Sequence, residues 1–380
     1  MRIAFYAPLK APDHPVPSGD RQMARLLIAA LEAAGHDVEL TSRLRSWDGQ
    51  GDRARQARLQ GLGAALARRA VRRFEKRSAR DRPQAWFTYH LYYKAPDWIG
   101  PQVARALGIP YLVAEASLAH KRAGGPWDLG HRATVAALDQ AAAVILLNPT
   151  DAEILPHQDR LWQLDPFLDP APYRAAAAGR AEHRARLADD LGLDTEAVWI
   201  VAVAMMRPGD KLASYGVLAE ALHKLADRPW QLILVGDGSE RPEVEATFAW
   251  ARPTAQGVRV HFAGALEGPD LARLYAACDL YAWPAVNEAY GMAFLEAQAA
   301  GLPVVAGRSG GVPVVVRDGE TGLLAAPGDS AAFAVALGAL LDDPVKRQGF
   351  AAAAPAAVAA RHSLAAASRR LNRILHGVVP

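Results

Sequence analysis

Short continuous apolar runs alternate along the chain with longer stretches in which apolar positions recur every three or four residues. Ile3 to Ala7 is such a run, followed by a Pro-rich polar segment to Gly19. Arg21 to Ala34 then carries Met23, Leu26, Leu27, Ala30 and Leu31 at helical spacing. Gly35 closes that helix, and Val38 to Leu40 opens a second strand. The alternation continues with a strand at Ala85 to Tyr89, a helix near Pro101 to Leu107 and a strand at Tyr111 to Val113. A helix at Thr134 to Ala141 and a strand at Ala143 to Leu147 follow. Strands alternating with helices predict a parallel, doubly wound sheet.

The segment WQLDPFLDPAP, from Trp162 to Pro172, is rich in Pro and Asp and breaks the pattern. The alternation restarts at Val198 to Ala204. It goes on through Trp230 to Val235, Val258 to Phe262, Leu280 to Trp283 and Pro303 to Ala306. From about residue 330 the chain is helical and Ala-rich, with Leu364, Leu371 and Ile374 as candidate apolar contacts. The prediction is an α/β protein with two Rossmann-like domains, 1–168 and 169–355, and a helical end over 356–380. A length of 380 residues agrees with that division.

Composition narrows the picture. With 51% hydrophobic and 22% charged residues the chain can bury a sizeable core. Cys278 is the single cysteine, so intrachain disulfides and thiolate metal clusters are excluded. The scattered histidines show no metal-ligand spacing, and no metal is expected. MRIAFYAPLK enters a strand at once, without the charged and apolar regions of a signal peptide, and no apolar stretch is long enough to span a bilayer. A cytoplasmic protein is expected, with a peripheral place on the inner face of the membrane kept open. The net charge of +3 hides a basic segment between Arg43 and Arg82. In AALARRAVRRFEKRSAR, at 64–80, Leu66, Ala70, Val71 and Phe74 recur at helical spacing with Arg and Lys around them. Two readings stand side by side: a helix lying on an anionic membrane surface, or a solvated helix face. Nothing supplies a base-reading module, so no nucleic-acid partner is expected.

The candidate chemistry lies in YAWPAVNEAYGMAFLEAQAAGLPVVAGRSGG, from Tyr281 to Gly311. Glu288 precedes a helix expected to begin near Tyr290, and Glu296 falls two turns into it. At 3.6 residues per turn the two carboxylates would lie within about 80° of each other. Gly291 permits close backbone approach, and free N–H groups at the helix start suit a phosphate. Alone, such a Glu pair is more often a solvated helix face. His90, Glu115 and Asn148 each follow a predicted strand, where doubly wound sheets gather ligands, although a lone His among aromatics is as often a core residue. Gly236-Asp237-Gly238 reads equally as a strand-ending turn or a binding loop.

The stretch from Glu288 to Gly311 resembles the donor motif of glycosyltransferase family 4, whose members have the GT-B fold of two domains facing across a cleft. VGDGSE at 235–240, DGETGLL at 318–324, MRPGDK at 206–211, PFLD at 166–169 and PSGDR at 17–21 agree with the family in order and spacing. The resemblance is stronger in the C-terminal half, and it implies that the last helix, within about 356–380, packs back onto the first domain. It implies a retaining, metal-independent transfer of a sugar from a nucleotide-diphosphate sugar, a co-substrate rather than a cofactor, to a hydroxyl acceptor, lipid-linked in several family members. Arg207 and Lys211 would neutralise the diphosphate, and Glu296 would accept from ribose hydroxyls. Glu288 would touch the transferred sugar. Backbone at Ala289, Tyr290, Gly291 and Met292, with Gly236, Asp237, Gly238 and Gly19, would line the donor. His90 would be catalytic, and Glu115 and Asn148 are acceptor-side candidates.

This chain departs from the family pattern in places. Ala289-Tyr290-Gly291 replaces Gly-Phe-Gly, Leu212 replaces the Gly after the Lys, and Val314 replaces the Glu after the Gly-Gly turn. YLVAEAS carries Glu115 where many members have a His. These changes bear on the acceptor side and motivate an alternative, a GT-B protein that binds a sugar nucleotide without transferring it.

Overall fold

The computed structural model describes residues 1–16, 18–251 and 258–379. It divides into two compact units, Met1–Asp165 with the chain from Leu364 onward, and Pro166–Ser363.

The first unit holds strands β1 (Arg2–Tyr6), β2 (Asp37–Ser42), β3 (Ala85–Leu91), β4 (Tyr111–Ala116), β5 (Ala143–Leu146) and β6 (Leu161–Gln163). They form a parallel sheet in the order β2-β1-β3-β4-β5-β6. Strands β1, β3 and β5 are buried along nearly their whole length, as a parallel sheet covered on both faces requires, which is why they read as unbroken apolar runs. The helices are α1 (Gly19–Ala33), α2 (Arg53–Glu75), α3 (Gly100–Leu107) and α4 (Asp128–Gln140). Helix α1 begins two residues before the sequence pattern suggests, because the Ser18 hydroxyl accepts from the Arg21 N–H at 3.2 Å and caps it. Gly19, Asp20 and Arg21 of PSGDR therefore form a helical turn, while Pro17 lies outside the described residues.

Helix α2 is longer than its basic core suggests, capped by Asp52, whose carboxylate accepts from the N–H groups of Ala54 and Arg55. Its apolar stripe is spent on the unit's own core. Ala67, Ala70 and Phe74 are buried, and Leu66 and Val71 pack against them. The apolar stripe is therefore not what faces outward; a row of guanidinium groups does. His36, just past α1, is buried with its Nδ1 3.2 Å from the N-terminal ammonium.

The second unit holds β7 (Val198–Val203), β8 (Trp230–Val235), β9 (Val260–Gly264), β10 (Leu280–Trp283), β11 (Val304–Gly307) and β12 (Gly322–Ala325), parallel in the order β12-β11-β10-β7-β8-β9. Around them lie α5 (Ala171–Ala178), α6 (Arg180–Leu191), α7 (Asp210–His223), α8 (Arg241–Thr247), α9 (Gly268–Ala277), α10 (Met292–Ala299), α11 (Val312–Val315), α12 (Ser330–Leu341) and α13 (Pro344–Arg361). Trp199, Trp230, Trp283, Tyr215 and Tyr281 fill the core. Where the chain enters and leaves this unit, its two ends run side by side: the Leu168 N–H donates to His362 O at 2.9 Å, and His362 Nδ1 donates to Pro166 O at 2.7 Å. Helix α14 (Leu364–Val378) belongs to the first unit, where it packs on α1 with Leu371 and Ile374 buried and Leu364 half-buried. Among the described residues no helix is long and apolar enough to cross a membrane.

Candidate active site

In a doubly wound sheet the connections leaving two neighbouring central strands diverge, and the crevice beyond their carboxyl ends is where ligands bind. In the second unit those strands are β7 and β10. The segments that follow them are 204–211, carrying Arg207 and Lys211, and 284–291, carrying Glu288. Lys211, in the first turn of α7, forms a short ion pair from its Nζ to Glu288 Oε2, with both side chains less than one-fifth exposed. The Lys211 ammonium also lies 5.6 Å from the centre of the Trp283 ring. Two residues to which the resemblance gives separate ligand contacts are thus bonded to one another.

The loop bearing Glu288 is fixed from three directions. The Val286 N–H donates to Ser214 Oγ at 3.1 Å, Asn287 Nδ2 donates to Asp210 Oδ2 at 2.9 Å, and the Glu288 N–H donates to Ser309 Oγ at 3.1 Å. The Gly-Gly turn closes it from above: Gly311 N–H donates to Ala289 O at 2.8 Å. A Cβ on Gly310 or on Gly311 would sit 2.2 Å from the carbonyl oxygen of Glu288 or of Ala289. The Gly236-Asp237-Gly238 turn fastens the other loop in the same way. Its glycines press on the carbonyls of Ala204 and Met206, where a Cβ would lie at 1.9 and 2.0 Å, and Asp237 O accepts from the Met206 N–H at 3.0 Å. The Asp237 carboxylate is exposed and accepts from the Gly238 N–H. Arg207 is exposed and has no hydrogen bond or ion pair among the described residues.

Helix α10 starts at Met292, later than expected near Tyr290, because Gly291 takes a left-handed conformation (φ 68°) and ends the loop there. Glu288 therefore lies outside the helix, so its relation to Glu296 is not the 80° of a shared helix face. Ala289 is exposed, and Tyr290 and Met292 are half-buried beside the start of α10. Glu296, on the second turn, is partly buried and accepts from Tyr275 Oη at 3.1 Å. Burial pushes its carboxyl above the usual range, and the hydroxyls of Tyr275 and Tyr173 work against that shift. These tyrosines, with Ser214, Ser309, Asn287 and Asp210, escape a reading of the sequence. Only their meeting in space with Glu296 or with the loop that carries Glu288 marks them.

In the first unit the switch lies between β1 and β3. His90 near the end of β3 and Glu115 near the end of β4 are non-glycine residues with left-handed backbone, at φ 62° and 59°. Such conformations cost about 1–3 kcal/mol and often accompany function. His90 Nδ1 lies 2.8 Å from Asp20 Oδ1 on α1, a partner the sequence did not suggest. Burial works to lower the His90 pKa, but the Asp20 hydrogen bond and the charges of Glu115, Asp20 and Asp151 outweigh it and raise it above the usual value. Asp20 is lowered by the same hydrogen bond. Asn148 follows β5, where its carbonyl accepts from the Asp151 N–H. Gly19 sits in the first turn of α1 with nothing within 4 Å of where a Cβ would stand, so the protein's own packing does not require a glycine.

Two Rossmann-like units, with a Lys–Glu pair at the switch point of the second, define a protein of the GT-B glycosyltransferase class. The family model described as "Glycosyl transferases group 1" matches residues 197–343. The D-inositol 3-phosphate glycosyltransferase of Xylanimonas cellulosilytica is 30% identical over 298 residues, 74% of this chain and 70% of that protein. The enzyme of the same name from Corynebacterium diphtheriae is 39% identical over 158 residues, 41% of this chain and only 37% of its own length. Anabaena HepE, in complex with UDP and glucose, shares the fold with a TM-score of 0.69 over 99% of both chains at 18% identity. The chain belongs to the group 1 glycosyl transferases, glycosyltransferase family 4.

Proposed function

We propose that the protein is a retaining, metal-independent glycosyltransferase that moves a sugar from a nucleotide-diphosphate sugar to a hydroxyl acceptor. The first unit would receive the acceptor and the second the donor. The observation that carries this reading is the Lys211–Glu288 pair, brought together at the switch point of the second unit from positions 77 residues apart. A donor diphosphate offers Lys211 a more highly charged partner than one carboxylate. Taking it would release Glu288 to accept from hydroxyls of the transferred sugar. Lys211, Arg207 and the N–H groups at the start of α10 would stabilise the charge that grows on the departing diphosphate. Glu296 would accept from the ribose, with Tyr290, Met292 and the 236–238 turn around the nucleotide. In the step itself the donor's glycosidic C–O bond breaks, the acceptor oxygen bonds to the same face of the sugar carbon, and its proton passes to the leaving phosphate. His90 would hold the acceptor, with Glu115 and Asn148 beside it. No cofactor enters this scheme.

The relatives' names point to a polyol phosphate as a first acceptor to try, and the HepE complex points to uridine as a first base. Any attraction to an anionic membrane on the cytoplasmic side, and hence to a lipid-linked acceptor, would come from the exposed arginines of α2. The reading is tested by calorimetric titration of UDP, GDP, ADP and dTDP into wild type and Glu296→Ala. One nucleotide should bind at micromolar affinity or better and weaken at least about tenfold in the variant, as loss of a charge-assisted hydrogen bond predicts. Binding of none of them would remove the donor site. Binding without turnover of any cognate nucleotide sugar, including hydrolysis, would leave the non-catalytic alternative.

A further inference from the structure

Away from both switch points, the first unit has a cavity of about 280 Å³ between α2 and the carboxyl end of the edge strand β2. Four of its lining residues, Leu66, Arg69, Ala70 and Arg73, stand at i, i+3, i+4 and i+7 and so form one face of α2. Opposite them are Thr41, Ser42 and Arg43 at the end of β2, and Ile99 just before α3. The site has an apolar side of Leu66, Ala70 and Ile99, and a polar side of three guanidinium groups and two hydroxyls.

Its charge is only partly neutralised by neighbouring carboxylates. Glu39 serves two guanidinium groups at once, Arg73 at 2.8 Å and Arg77 at 2.6 Å. Arg43 is paired with Asp13. Arg69 has no carboxylate partner among the described residues, and it stands four residues from Arg73, a spacing at which like charges destabilise a helix. Planar guanidinium groups with hydroxyls beside them match the oxygens of a phosphoryl group, to which arginine bonds bidentately. The volume holds several waters and lies just below the range of roughly 300–1,000 Å³ typical of small-molecule pockets, so it takes more than a bare phosphate.

We propose that this cavity is a binding site for a phosphorylated molecule, separate from the donor site. Its phosphoryl oxygens are held by Arg69, Arg73 and Arg43, and a small apolar part lies against Leu66, Ala70 and Ile99. The ligand is either a soluble phosphate ester or the headgroup of an anionic phospholipid.

Inorganic pyrophosphate and glycerol phosphate are titrated calorimetrically into the full chain carrying Lys211→Ala, which takes away the ammonium proposed above to hold phosphate in the second unit. Saturable binding is expected there, weakened about tenfold or more by a further Arg69→Gln and scarcely altered by Arg68→Gln, an exposed neighbour that does not line the cavity. Both arginines are exposed, and unchanged melting temperatures establish that the variants fold. Co-sedimentation with phosphatidylcholine vesicles, with and without phosphatidylglycerol, separates the two sources. Glycerol phosphate binding without pelleting assigns a soluble ester. Pelleting that requires phosphatidylglycerol and is lost selectively in Arg69→Gln assigns a headgroup. Absence of saturable binding by either route, or equal losses in Arg68→Gln and Arg69→Gln, would mean diffuse charge attraction and overturn the site.

Discussion

Replacing Glu288 by Gln should tighten the binding of nucleoside diphosphate while it suppresses sugar transfer. The substitution keeps the side chain's size and removes its charge, leaving Lys211 without its partner. Exposed ion pairs contribute up to about 1 kcal/mol, while breaking a fully buried one costs about 3–5 kcal/mol. With side-chain exposures of 19% and 18%, this pair lies between those limits, and about 1–2 kcal/mol of coupling is the reasonable expectation. A diphosphate that recruits Lys211 must first give up that coupling. Its removal should strengthen binding by roughly 5- to 30-fold. The same coupling is lost from the folded protein, so the second unit should melt about 2–8 °C lower. Calorimetry with the cognate nucleoside diphosphate, a thermal melt, and a transfer assay on the same preparation read all three effects. Unchanged or weaker nucleotide binding in Glu288→Gln, with the melting temperature lowered as expected, would refute the exchange of partners at Lys211.

Gly310→Ala should be worse tolerated than its size suggests, because the new methyl would stand 2.2 Å from Glu288 O on a backbone at φ 49°. A loss of at least about 2 kcal/mol, or a folded protein whose Glu288 loop has moved and which no longer turns over donor, is expected from melting and activity measurements; near-wild-type values of both would contradict the close packing. The Asp20–His90 pair makes a pH-dependent contribution. Since His90 is raised above its usual value, the stabilisation is fully present below the unfolded-state pKa of about 6.5 and is lost as pH rises through the folded-state value. Melting curves of wild type and Asp20→Asn between pH 5.5 and 8.5 should therefore differ most at the acid end and converge on the alkaline side, and a gap independent of pH would count against the pair.

How much was legible in the chain depends on how local the cause was. Strands β8 and β10 are found at the bounds the apolar runs suggest, because a strand buried on both faces has no polar positions to blur it. Strand β6 was missed because three half-buried residues at a sheet edge, among Asp and Pro, carry no period. Strand β12 gives no strand signal in the sequence because Gly-Leu-Leu-Ala lacks β-branched residues. The site divides the same way. The loops bearing Lys211 and Glu288 announce themselves by Gly and Pro. The bond between them, like that between His90 and Asp20, 70 residues apart, belongs to the fold and has no local signature. The basic helix leaves two readings open in sequence because an amphipathic stripe looks the same whether it faces a bilayer or the protein's own interior.

Of the seven glycines among the described residues on which a Cβ would stand 2.2 Å or less from a carbonyl oxygen, Gly236, Gly238, Gly307, Gly310, Gly311 and Gly322 fall within the segment 197–343 that matches the family model, and only Gly130, against Tyr93 O, lies in the first unit. At most sites in a protein several side chains are interchangeable, and drift erases the record of ancestry. Where a single methyl group would strike a backbone oxygen, the alphabet has one letter, and substitution is barred however the surroundings change. Such positions act as fixed type in a text that is otherwise rewritten, so the second unit keeps a readable lineage. In the first unit Gly19 is under no such bar, since nothing lies within 4 Å of where its Cβ would stand, and there the alphabet stays open.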